Sequence, residues 1–356
     1  MLHHVAKAVL KRAVESHDVE VQYPPWAGAV FLVEFIVFLP ILFWTAYTLR
    51  QVYPIFAIVE DENPPAYDPV NFVDDEAAAA GPEPRSDGPV PTKVTEGRPT
   101  TVTSSLRSIN RLLRSNGGWR ANFRGFFCLL AQVFATSILY GIFSAFLHPA
   151  IASVGTLLAA LSLVQLSTAW VHIVITPRSS LHFWSRLPPF KRTFDATVRP
   201  VVVYWVAQQF ATWVPVAVGY LLGLDLPNLE FGSKPQAADA WKSVVITIIS
   251  IAFQVIVVIP ARVVLVRVQA SLIPEEADTI IPFDRSFEGK VEPRVVGGKG
   301  YATMEDAWRG FSRAAWRRLV ILYVKVFAVS IAAFALMAAV VVPELILLAE
   351  TVPSKN

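Results

Sequence analysis

Cysteine is almost absent from this chain of 356 residues. The single Cys128 has no second thiol to pair with, so neither a disulfide framework nor a redox couple is available. Six histidines are scattered without H-E-x-x-H or any other metal-ligand spacing, and no metal or cofactor is expected. The glycine fingerprints of nucleotide sites and the G-x-S-x-G elbow are missing too, and Val296-Gly-Gly-Lys-Gly300 is too short and misplaced to cradle a phosphate. An enzyme is therefore not expected, and a membrane enzyme with an unfamiliar site is the one catalytic alternative left open. Charge is scarce as well. Only 17% of the residues are charged against 54% hydrophobic, a balance that soluble domains of this length rarely reach. The bilayer is the expected partner, with an unknown small solute or protein beside it, and no nucleic acid.

What is present is a series of apolar runs long enough for about 20 helical residues to cross roughly 30 Å of hydrocarbon. They fall at 27–49, 125–148, 150–176, 200–224, 244–268 and 319–348. Lipid offers no hydrogen bonds to the backbone, so segments of this length must be helices. The expected fold class is all-α, a polytopic bundle of six transmembrane helices. Pro40, Pro215, Pro260 and Pro343 fall inside or near the ends of these spans, where each removes a ladder donor and introduces a kink.

The connections are unequal. His148 and Pro149 make a tight turn between spans two and three, and the connection from span four to span five is short. The connections after spans one, three and five are long and hold most of the 31 basic residues, which by the positive-inside rule places them on the cytoplasmic or matrix side and both termini opposite. Residues 1–26 form a basic, weakly amphipathic N-terminal segment ahead of the membrane domain at 27–356.

Within the first long connection, residues 60–103 are rich in Pro, Asp, Glu, Ala and Ser with no apolar period, and read as a disordered insertion. After it, Leu106, Ile109, Leu112 and Leu113 share one helical face and Arg107, Arg111 and Arg114 the other. This spacing predicts an amphipathic helix on the membrane surface, capped by Ser104 or Ser105 and ended by Gly117-Gly118. The mixed aromatic and basic stretches 178–199 and 301–318 suit the same interfacial role.

Span, basic connection with a surface helix, span and short turn thus occur three times. At Asn116-Gly-Gly-Trp-Arg-Ala-Asn-Phe-Arg-Gly-Phe126 the chain resembles the mitochondrial carriers, whose even spans are entered through glycine and then an aromatic-Arg-Gly triplet. Gly117, Phe123, Arg124 and Gly125 carry that likeness. Pro260, Arg267 and Gln269 match the family's odd-span signature, in which Pro is followed by an acidic residue two places on, basic residues five and seven on, and Gln nine on. The resemblance implies three pseudo-repeats of helix pairs, a mitochondrial membrane and solute transport. The chain departs from the family where the acidic position is Arg262 and the first basic position is Leu265, so the ion pairs that close the family's matrix gate are missing.

Polar residues inside spans are costly and usually functional. Glu34 is the outstanding one, either a proton or cation site or a protonated group packed against another helix. Gln132, Gln165, Gln208, Gln209 and Gln254 either line a polar path or act as interhelical glue. Arg262 is the expected anion contact, whereas Arg267 and Lys325 are expected to snorkel to the interface. The functional expectation is a carrier-like solute transporter of unknown substrate, and the alternative is a non-transporting membrane scaffold or insertion factor.

Overall fold

The computed structural model describes residues 25–61, 101–223, 240–274, 276–292 and 297–351. The expected N-terminal segment lies outside the described residues except for Pro25 and Trp26, which already begin a helix, as does the expected disordered insertion except for residues 60, 61 and 101–103, which are ordered. Among those described, every regular element is helical. Among the described residues five helices are long and apolar enough to cross a membrane, or six spans if a pair of helices bent at 63° is counted as one. The protein is an integral membrane protein by that measure.

The first span runs from α1 (Pro25–Trp44) through a π-helical stretch, Thr45–Val52, into α2 (Tyr53–Val59). A short surface helix, α3 (Leu106–Ser115), precedes the second span, α4 (Phe126–Ala145). The third span is not continuous: α5 (Val154–Ser162) and α6 (Val164–Ile175) meet at an angle of 63°. The fourth is one long helix, α7 (Phe190–Leu221), which begins ten residues before the apolar run because its basic first turns continue the same helical register. The fifth joins α8 (Ala240–Phe253) through a second π-helical stretch, Gln254–Val258, to α9 (Ile259–Ser271). A single turn and a half, α10 (Met304–Arg309), leads to the last span, α11 (Arg313–Thr351). The surface helix expected over 301–318 is thus confined to α10, and the arginines from Arg313 onward already belong to the last span.

The helix boundaries follow from local chemistry. Ser105 caps α3 by accepting from the Arg107 amide, and the Gly118 amide closes its far end on the Arg114 carbonyl. Thr303 and Asp306 form a reciprocal capping box at the start of α10. Gly125 opens α4 with φ of 75°, and a Cβ there would meet the Trp170 ring at 3.0 Å, so the glycine of the aromatic-Arg-Gly triplet is required twice over.

The chain divides into two compact units, residues 1–49 with 324–356, and residues 50–323. In the first unit, Glu34 on α1 shares a side-chain hydrogen bond with Glu344 on α11. In the second, α2, α6 and α9, the ends of the three odd spans, pack against one another. Every residue from Val52 to Val59 is buried there, as are Val263 to Ile273. Ile109 and Leu113 of α3 are also fully buried, so the apolar face of that amphipathic helix is covered by protein.

Spans two and three meet closely at Gly155, where a Cβ would lie 3.3 Å from the Ser144 amide and the Tyr140 ring. Gly141, from the same small-residue pattern, has nothing within 4 Å and takes no part in that approach.

Glu60 closes the end of the first span. Its carboxylate, 2% exposed, accepts from the Val102 and Thr103 amides and the Thr103 hydroxyl, with Arg318 Nη2 at 3.9 Å. The Asp61 amide donates to the Pro282 carbonyl at 2.9 Å. One carboxylate therefore holds the end of the first span beside residues 102 and 103.

Candidate functional site

A cavity of about 480 Å³ opens at the basic end of the second unit, between the entry to α4 and the segment that follows α6. Four arginines line it, Arg120, Arg124, Arg178 and Arg186, with aromatic rings that include Phe123 and Trp184 and no carboxylate. Gly117 and Gly125 contribute to the wall, so four of the carrier-like motif positions, Gly117, Phe123, Arg124 and Gly125, are brought together here.

The arginines divide into two kinds. Arg124 donates to the Thr176 carbonyl at 2.8 Å and the Asn116 carbonyl at 3.3 Å, bracing the start of the second span against the end of the third. Arg186 donates to the Thr176 hydroxyl at 2.7 Å. Burial lowers its pKa from the usual arginine value, yet a guanidinium stays charged throughout the accessible pH range. Arg120 and Arg178 are exposed and make no hydrogen bond or ion pair with the described residues. Two structural cations and two unengaged ones with no compensating acid make an anion-binding surface. His182 stacks on Trp184 with ring centroids 4.3 Å apart, giving the mouth a flat aromatic edge.

Arg267 and Gln269 lie elsewhere, inside the packed odd-span ends. Arg267 does not snorkel. It is 3% exposed, donates to the Ile58 carbonyl at 3.3 Å and the Gly310 carbonyl at 3.2 Å, and stacks over Phe287 and Phe311. Its long side chain finds two carbonyl acceptors and two ring faces within the protein, while its Nε is buried without a partner among the described residues. His172 donates through Nε2 to the Gln269 carbonyl at 2.8 Å, while the Gln269 amide donates to Ser167 at 2.8 Å. These groups join α2, α6, α9 and α10 and are consumed in doing so.

The proposed pathway residues do not form one line. Gln165 donates to the Pro188 carbonyl at 2.7 Å, and Gln209 accepts from its own helix at Trp213. Gln254 is exposed on the surface of its helix. Gln132 keeps a buried, unpartnered carbonyl oxygen, and Glu34 and Glu344 each keep one unpartnered oxygen beyond the bond they share. Two members do converge. Arg262 donates to Gln51 at 3.1 Å and bonds Tyr323, whose neighbour Tyr204 accepts from Gln208 at 2.8 Å. Pro260 stands just before Arg262, at the start of α9.

Sequence reasoning missed Gln51, Tyr204, Tyr323, Arg120, Arg178 and Arg186. The last three were visible as basic residues near span ends, but nothing local showed that two connections fold onto one cavity. Among the described residues no cluster of three or more His, Cys, Asp or Glu is placed to hold a metal. The chain has no match among known protein families, curated proteins or solved structures.

Proposed function

We propose that this integral membrane protein binds an anionic, phosphate-type group in the cavity at its basic face. The observation that carries this reading is the cavity lining, four guanidinium groups with no carboxylate among them. Arg offers a planar fork of donors that matches phosphate oxygens, and here Arg124 and Arg186 are held in place by Asn116 and Thr176 while Arg120 and Arg178 are free to engage a ligand. Phe127 and Leu181, both exposed beside the cavity, give it apolar flanks of the kind an acyl chain lies against. A phospholipid headgroup and free phosphate share this chemistry, and the flanks favour the headgroup.

Native mass spectrometry of the full chain in an uncharged detergent tests it, with phosphatidylglycerol, phosphatidylcholine or inorganic phosphate added separately. Preferential retention of phosphatidylglycerol, lost in the Arg120→Gln/Arg178→Gln variant, supports the headgroup. Retention of inorganic phosphate alone moves the source to a solute. Equal retention of both lipids by the native and variant chains overturns the reading.

The carrier-like transporter is the second reading, and what favours it is the break in each odd span near the point where those spans come together. The dense packing of α2, α6 and α9 favours its alternative, a non-transporting scaffold. Saturable uptake of a labelled solute into liposomes separates the two.

A further inference from the structure

Arg262 lies about 13 Å inward from the end of α9 at Ser271, taking 1.5 Å per helical residue. Gln51, on the π-helical stretch of the first span, lies a similar distance, about 12 Å, inward from Val59. A cation at that depth is expensive, and the usual resolution is a carboxylate partner. Arg262 has none among the described residues. Its partners are the Gln51 amide oxygen at 3.1 Å and the Tyr323 side chain, both neutral. Tyr204 lies within electrostatic range of Tyr323 and is itself bonded to Gln208.

Four spans therefore contribute to one cluster of polar groups: Gln51 from the first, Tyr204 and Gln208 from the fourth, Arg262 from the fifth and Tyr323 from the sixth. The two odd spans reach it through the π-helical stretches Thr45–Val52 and Gln254–Val258, a rare irregularity that is frequent at functional sites. Arg262 also differs from Arg267, one and a half turns further along α9. Arg267 is capped by two backbone carbonyls and two rings, whereas Arg262 meets only side-chain groups able to change partner.

We propose that Arg262, with Gln51, Tyr323 and the Tyr204–Gln208 pair, forms an intramembrane site for a small carboxylate-bearing solute. The guanidinium supplies the charge and the bidentate fork, and the two tyrosine hydroxyls and the Gln51 amide turn to donate to the carboxylate oxygens. The site is separate from the cavity at the basic end and shares no residue with it.

The test is thermal unfolding of the full chain in an uncharged detergent, followed by the helical circular dichroism signal, during titration with succinate, with glucose as the uncharged comparison. Succinate is expected to raise the unfolding temperature of the native chain and of Arg120→Gln/Arg178→Gln alike. Arg262→Gln, Gln51→Leu and Tyr323→Phe are expected to weaken the apparent affinity, by tenfold or more for Arg262→Gln, as a charged hydrogen bond is lost. Arg262→Lys retains charge without the fork and should fall between. If Arg262→Gln does not fold, Gln51→Leu and Tyr323→Phe still decide the matter. No stabilisation of the native chain by succinate, an equal effect of glucose, or unchanged affinity in these variants overturns the site. Loss of the succinate effect only in the Arg120→Gln/Arg178→Gln chain would assign it to the cavity instead and overturn it as well.

Discussion

The odd and even spans of this protein are built differently. Each odd span is interrupted, the first and fifth by π-helical stretches and the third by a 63° bend at Leu163. The three even spans, α4, α7 and α11, are continuous helices despite Pro200, Pro215 and Pro343 within the last two. The difference lies in what each kind must bury. The halves that follow the breaks, α2, α6 and α9, pack on one another with almost no exposed surface. The even spans instead keep large side chains such as Phe127, Phe134 and Phe210 exposed along one face. In lipid that exposure costs nothing, so an even span needs only its own backbone hydrogen bonds. An odd span must aim its second half inward, and a break that shifts the register achieves this.

Three substitutions probe the contrast, all measured as unfolding in detergent. Arg267→Ala removes the bonds to Ile58 and Gly310 and both stacked rings at the centre of the odd-span ends. It is expected to cost the most, roughly 3 kcal/mol, because two buried carbonyls lose a charged donor. A loss below about 1 kcal/mol would show that this knot is not what holds the odd spans together.

Asp284 sits one step out from the same centre. Burial pushes its carboxyl pKa up, but the amides of Glu288 and Ser286, the Ser286 hydroxyl and the charge of Arg267 outweigh that and hold it below the ordinary carboxylate value. Those bonds fix the turn in which Phe287 and Glu288 take positive φ and Phe287 is set under Arg267. A carboxylate with a depressed folded pKa stabilises the fold above its unfolded pKa, and that contribution is lost as pH falls through the folded value. Stability should therefore decline on acidification in this range, and Asp284→Asn should flatten the decline while costing about 1 kcal/mol near neutral pH. An unchanged acid limb in that variant would remove Asp284 from the account.

The smallest effect is expected on an even span. Phe134→Ala, on the exposed face of α4, should change stability by less than about 0.5 kcal/mol. A larger loss would mean that another surface covers this face.

The spans were legible because run length and hydropathy do not depend on neighbours. The breaks were not, since a π-turn leaves no mark in an apolar run such as Gln254–Val258; it reflects how the helix is packed rather than which residues it contains. Arg267 was misread for a related reason. From α9 alone it sits near a helix end and within reach of water, and only the arrival of Gly310, Phe287 and Phe311 from distant parts of the chain makes burial favourable. The cap at Ser105 was readable because its partner is two residues away. The cavity was half readable: the aromatic-Arg-Gly triplet drew notice, whereas Arg178 and Arg186 join it from a connection more than fifty residues later.

The Glu60 carboxylate, by gripping the backbone at Val102 and Thr103, fixes the two ends of the intervening stretch at neighbouring points. Once the ends of a loop are fastened, the entropic cost of further length grows only with its logarithm, about 0.6 kcal/mol for each doubling. For the bundle, the cost of joining Glu60 to Val102 and Thr103 therefore depends only weakly on the number of residues between them. Changing the number of residues between these two anchored ends is expected to leave the unfolding temperature of the bundle nearly unchanged.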